Sequence, residues 1–231
     1  MKIEIDKGLF TTVPQLKLGI NHYTNITVSE SPQMLKGRLQ LFQEQLFFEL
    51  DRKPLSNFPG IQSWRETWKA FGSDHNQSPP SVEYLYKNIK EQNYHQSNQT
   101  AVDLNIFFSL QYEIPTSIYD FNDLVGNIQL TLGGEDDRYN GLNGQVNDLN
   151  NILLLRDEYS PFGSPYVDSI RCAVTEETTE ILQVIYLRPS MSEEEAHKLT
   201  TASGNMFTSI SGGDSASYVL TSSQPHIDLV R

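Results

Sequence analysis

The chain of 231 residues holds a single cysteine, Cys172. No intramolecular disulfide can form and no multi-cysteine metal site exists. Such poverty fits a reducing compartment. Cations are also scarce: Lys and Arg number 17 against 29 acids, a formal charge of -12. A polyanion is held by clustered cations that displace its counterions, and here the cations are scattered and outnumbered. Broad contact with a phosphate backbone or an anionic membrane is disfavoured, and no DNA partner is expected. Long apolar runs are missing too, for none approaches the ~20 residues that span a bilayer. Met1 to Asp6 alternate apolar and charged residues, unlike the apolar core of a signal peptide. The expectation is a soluble, cytoplasmic protein with no membrane partner.

Familiar catalytic signatures are absent as well. There is no Walker loop, dinucleotide-binding glycine fingerprint, HExxH motif or GxSxG elbow. Gly133-Gly134 and the Gly141 to Gly144 stretch read as turns. His22, His75, His95, His197 and His226 each stand apart from one another and from the cysteine, so no local metal set forms and no cofactor is expected. Cys172 follows Arg171, which would lower a thiol pKa, but with no general base nearby it reads as a small buried residue. No catalytic residue is assigned from motifs.

What the chain does have is apolar bulk: 38% hydrophobic residues, with 11 Phe, 11 Tyr and two Trp. A chain of this size buries roughly 70–75% of its unfolded surface, enough for a full core. Residues 2–6, 16–20, 23–28, 127–132, 152–155 and 181–187 carry strand patterns. From Pro32 the period becomes 3.6, and Met34, Leu35, Leu39, Leu41, Phe42, Leu46, Phe47 and Leu50 predict a packed helix ending at Pro54. Ile61, Trp64, Trp68 and Phe71 share one face of a second helix. Core packing of an amphipathic helix is the first explanation of that face; the alternative is that one tryptophan lines a cleft with Arg65 at its mouth, a place for a planar or carboxylate-bearing ligand. Ser78 is expected to cap a third helix through Val82 and Tyr86, and Thr100 with Asp103 to open a fourth. Residues 138–151 read as loop. Ser192 with three acids opens a last helix to about Phe207, and Tyr218 to Leu220 supply one more strand at most. The pattern is α+β, or layered α/β, without the strict alternation of a Rossmann fold.

Several segments in order then resemble the freestanding B3/B4 proteins, relatives of the B3/B4 domain in the phenylalanyl-tRNA synthetase β subunit. They are the stretch from Phe58 to Gly72, Pro80-Ser81, Ala101 to Asn105, Ile114 to Asp120, Val125 to Ile128, and Val174 to Thr179. The match covers about residues 58–188. The resemblance implies a three-layer fold, layered mixed β-sheets packed with helices, and one B3/B4-like domain over 1–211 followed by a Ser-rich tail over 212–231. It also implies an amino-acid-sized pocket, since the synthetase domain is an editing module that hydrolyses tyrosine wrongly attached to tRNA. Ser117 stands where that family places a His, and Val184, next to Gln183, where it places a Glu.

The expected partner is therefore a tRNA or aminoacyl-tRNA end, or an amino-acid-like small molecule, bound without catalysis. The alternatives are a trans-acting editing hydrolase, with Thr175, Asn105 or Asp120 positioning water and ribose, and a protein-interaction scaffold. The candidate ligand-binding residues are Trp64, Arg65, Asn105, Tyr119, Asp120, Arg171, Thr175 and Glu176. Arg65 and Arg171 would meet a carboxylate or phosphate. Tyr119 would offer a stacking face and a hydroxyl, and Asn105, Asp120 and Thr175 would orient polar groups.

Overall fold

The computed structural model describes residues 1–229. Two sheets and a helical layer stack in that order. The first sheet has the strand order β11-β1-β4-β7-β8, built from β1 (Lys2–Ile5), β4 (Ile128–Leu132), β7 (Leu153–Arg156), β8 (Pro161–Gly163) and β11 (His226–Asp228). The second is β10-β2-β9-β3, from β2 (Lys17–Thr24), β3 (Thr116–Asp120), β9 (Ile181–Leu187) and β10 (Asp214–Leu220). A small hairpin, β5 (Arg138–Asn140) with β6 (Val146–Asp148), stands apart. The helices are α1 (Leu9–Thr12), α2 (Gln33–Arg52), α3 (Pro59–Ala70), α4 (Ser81–Lys90), α5 (Thr100–Tyr112) and α6 (Glu193–Ser211).

Alternation along the central strands divides the apolar residues between two cores. Leu18, Ile20, Leu182, Val184 and Tyr186 face the first sheet and join Ile3, Ile128, Leu130 and Leu155. Tyr23 and Ile181 face the helices and join Leu39, Tyr86, Phe107 and Phe207. Helix α3 is shared between them: Phe58 and Ile61 enter the helical core, while Trp64 and Trp68 enter the inter-sheet core. Helix α6 lies close to the second sheet because its inner face is small. A Cβ on Gly204 would lie 3.1 Å from the hydroxyls of Ser215 and Ser217.

The structure revises several expectations. The Ser-rich stretch forms strands over its described part, 212–229: β10 pairs with β2 from Leu18 to Thr24, and β11 closes the first sheet beside β1; the last two residues of that stretch lie outside the described residues. The 138–151 segment contains the β5–β6 hairpin, held by reciprocal amide bonds between Asn143 and Asn147. Ser78 does not cap α4; Pro80 precedes it, and the Ser78 carbonyl accepts from Trp68 Nε1 at 2.8 Å. Thr100 is not an N-cap, for Gln99 holds that place. Met34 and Leu41 do not pack inward but are exposed on α2. The capping box of Ser192 with Glu195 forms as expected, and its helix continues past Phe207 to Ser211.

Candidate functional site

Strands β3 and β9 run antiparallel with Ser117 opposite Val184 and Tyr119 opposite Leu182. The positions where the resemblance places a His and a Glu are thus direct neighbours across one strand pair, on the face turned toward the first sheet. Two residues along each strand, the same face carries Tyr119 and Tyr186, both fully buried. The loop after β8 comes down onto them. Tyr119 donates to Asp168 Oδ1 at 2.6 Å, and the Ser164 amide donates to the same oxygen at 3.3 Å. The Tyr119 ring meets Phe162 edge-on at 4.8 Å. Residue 163 must be glycine here, because a Cβ would lie 1.9 Å from the Tyr119 hydroxyl. Tyr139, from β5, donates to Ser164 Oγ at 3.1 Å and to the Val167 carbonyl.

This interior is polar as well as aromatic. Desolvation raises the Asp168 carboxyl pKa to about 6, although the hydroxyls of Tyr119 and Ser117 and the Ser164 amide favour its charge. Burial, with the Asp168 charge beside them, pushes the phenols of Tyr119, Tyr139 and Tyr186 upward, so all three stay protonated as donors. Of the buried donors left without an acceptor among the described residues, two belong to this interior: Trp64 Nε1 and the Tyr186 hydroxyl, the latter with the hydroxyls of Tyr119 and Ser117 beside it. The Trp64 ring stands edge-on to Tyr186 at 6.2 Å, which ties these donors to the Asp168 cluster. Outside the 164–168 loop lies an open pocket of about 380 Å³, lined by Gln77, Tyr84, Asn143, Gln145, Tyr166 and Val167 among others.

Of the eight sequence candidates, Trp64 and Tyr119 reach this cluster and the other six lie elsewhere. Arg65 makes a two-pronged bond to Glu83 at 2.8 and 2.9 Å, with Lys87 on the same carboxylate at 2.9 Å. Burial raises the Glu83 carboxyl pKa, and the two cations outweigh it and hold the group below its ordinary range. Asn105 lies on the helical side of the sheet, bonded to the Thr116 carbonyl and to Gln183. That Gln183 is saturated, its oxygen taking bonds from Asn21, Tyr23 and Ser203. Asp120 accepts from Thr178 Oγ1 at 2.5 Å, which closes the gap between the Tyr119 and Val174–Thr179 segments. Arg171 pairs with Asp157 at 3.0 Å, and Thr175 and Glu176 are exposed on the turn beyond. Of the three groups considered for hydrolysis, Asp120 and Thr175 meet through Thr178 Oγ1, which accepts from the Thr175 amide at 3.0 Å, while Asn105 bonds elsewhere.

Asp168, Tyr186, Tyr139 and Ser164 were not among the sequence candidates. Tyr186 was accessible in principle, since it lies two residues beyond Val184 on a strand. Asp168 gives no local signal; it sits in a serine-rich loop and meets Tyr119 only through the fold. Among the described residues, no three His, Cys, Asp or Glu side chains gather as metal ligands, and no helix is long and apolar enough to cross a membrane.

The architecture is that of a mixed α/β protein in which two sheets enclose a polar-aromatic cluster. A B3/4 domain family model matches residues 63–211, more than half of the chain. The Bacillus subtilis (strain 168) protein YhzB, described as uncharacterized, is 31% identical over 221 residues, 96% of this chain and 100% of its own. The chain belongs to the B3/4 domain family. A crystal structure of an N-terminal fragment of the phenylalanyl-tRNA synthetase β-subunit from Pyrococcus horikoshii aligns with 92% of the chain at 11% identity and a TM-score of 0.44. The chain spans about half of that fragment, 49% of its length.

Proposed function

We propose that this chain is a recognition domain that binds an amino-acid-like group, free or esterified to the end of a tRNA, without hydrolysing it. The observation that carries the reading is a pair of buried donors without acceptors, the Tyr186 hydroxyl beside the Asp168 charge and Trp64 Nε1 on the ring that meets Tyr186 edge-on. A buried polar group left unpaired costs about 1–3 kcal/mol, so such a pair in one cluster calls for a polar guest. An α-amino acid or its ester has the complementary groups: a carbonyl or carboxylate to accept from the two donors, and an ammonium to face Asp168. Ser117 and Val184 stand at the family's His and Glu places, so the two groups most associated with editing are missing, which supports binding over turnover; Asp168 is the carboxylate left beside them. The substrate class comes from the resemblance to the synthetase editing module. The pocket beside Tyr166 and Val167 would take the portion of the ligand beyond the amino acid.

Calorimetric titration with amino acids, amino-acid methyl esters and aminoacyl-tRNA, beside a deacylation assay on mischarged tRNAs, tests this. Saturable binding without deacylation is expected, with Tyr186→Phe weakening affinity about five- to tenfold for one lost hydrogen bond. No binding at low salt rejects the ligand; deacylation above background rejects the non-catalytic role. The rings of Trp64, Tyr119 and Phe162 fill much of the interior and favour, as the second reading, a protein-interaction scaffold. Recovery of a protein partner and no RNA in a pull-down would support it.

A further inference from the structure

The pocket outside the 164–168 loop takes its walls from segments far apart in the chain. Gln77 and Pro79 come from the loop before α4, Tyr84 from α4, Gln145 from the turn between β5 and β6, and Tyr166 and Val167 from the loop after β8. Backbone bonds tie these walls to one another. The Ser81 amide donates to the Pro165 carbonyl at 2.7 Å, and the Leu142 amide to the Asp168 carbonyl at 2.8 Å. The cavity is thus built into the fold, and its volume of about 380 Å³ lies in the range of small-molecule sites, roughly 300–1,000 Å³.

Its chemistry is narrow. Among the described residues no charged side chain lines it. Tyr84 and Tyr166 supply aromatic surface, and Pro79 and Val167 add to the apolar wall. Four polar groups stay open to a guest: the hydroxyls of the two tyrosines and the amides of Gln77 and Gln145, none of which makes a hydrogen bond with another described residue. The third amide of the lining, Asn143, is spent on Asn147. A carboxylate or phosphate would meet no cation here, and an ammonium no carboxylate. An aliphatic guest would strip water from the amides and return no bond. A neutral planar ring edged with both donors and acceptors satisfies the whole lining. It can stack on tyrosine, and a glutamine amide presents the paired donor and acceptor that match a base edge.

We propose that this pocket binds a neutral nucleobase by stacking and by the Gln77 and Gln145 amides, with no grip on phosphate. The inference deepens the proposed function, and rests on it for the amino-acid group and the base belonging to one molecule. Charge gives it a distinguishing consequence. In a chain of formal charge -12, a pocket without a cation offers a phosphate nothing, so a nucleoside binds at least as tightly as its 5′-monophosphate.

The test titrates the ¹⁵N-labelled full chain with adenosine, guanosine, cytidine and uridine, and with their 5′-monophosphates, and follows the side-chain amide resonances. Nucleosides should shift Gln77 and Gln145 saturably, purines more tightly than pyrimidines because they stack over more area, with little dependence on salt. Gln145→Ala should weaken purine nucleosides about five- to tenfold and leave the fold intact, since only the Gln145 backbone serves the hairpin. Tyr166→Ala should weaken them at least about fivefold. No shift with any nucleoside overturns the proposal. So does a monophosphate bound tenfold more tightly than its nucleoside, or nucleoside binding that both variants leave unchanged. An amino-acid methyl ester titrated alongside separates the two claims. Ester binding without nucleoside binding overturns this inference and spares the recognition reading; nucleoside binding without ester binding does the reverse.

Discussion

Between pH 4 and pH 6 the Asp168 carboxyl sets a slope in stability. Its pKa is about 6 in the fold against an ordinary 3.8, so in that window the native state holds a proton that the unfolded chain has released. Stability from this group is complete below pH 4 and falls as pH rises toward 6. Asp168→Asn keeps an acceptor for Tyr119 and flattens that slope in urea denaturation read at several pH values. A bound ammonium would reverse the preference, so affinity for amine-bearing ligands should fall as pH drops through about 6, and an unchanged affinity would deny Asp168 its role. Gly163 is a steric case. In Gly163→Ala the new methyl meets the Tyr119 hydroxyl at 1.9 Å and a ring carbon at 2.5 Å, and over-packing of this kind costs about 1–3 kcal/mol, measurable in the same denaturation series.

Helix α4 is locked to α3 through a carboxylate rather than through apolar packing alone. Glu83 is 1% exposed and depends on Arg65 and Lys87. Arg65→Ala strands that charge with one cation and should cost about 3 kcal/mol, whereas losing an exposed pair such as Lys198–Glu194 should cost less than 1 kcal/mol. Arg65 was legible as a special residue because of its two tryptophan neighbours, but the partner that fixes its role stands 18 positions on, where no local pattern points. Elements with a strong period were readable: α2, α3, β9 and the Ser192 capping box follow directly from apolar spacing and cap chemistry. Of strand β10 only the end, Tyr218 to Leu220, was readable, because Ser215 and Ser217 are small where α6 comes close, and the β-branched and aromatic signal of a strand is missing there. Asp103 was read as part of a helix start. It does stand in the first turn of α5, and it also accepts from His95, Ser31 and Ser97 and ties two loops to the helix, a long-range use that sequence spacing does not encode.

For the molecule as a whole, a formal charge of -12 leaves recognition to a pocket rather than to a phosphate-binding face. If an aminoacylated RNA binds through its end with one or two phosphate contacts, log affinity against log salt should have a slope of about -1, far from the steep slopes of proteins that grip a backbone. The candidate site was visible in sequence only as two positions, Ser117 and Val184; their facing each other, and the arrival of Asp168 beneath them, come from register and loop placement. The most direct test uses the two tryptophans, both on α3. Trp68 Nε1 already donates to the Ser78 carbonyl, whereas Trp64 Nε1 has no acceptor. In an indole N–H correlation spectrum of the ¹⁵N-labelled protein, a saturating amino-acid ester should shift the Trp64 resonance downfield and leave Trp68 in place. Two resonances that both stay fixed for every amino acid, ester and aminoacylated RNA tried would contradict the account.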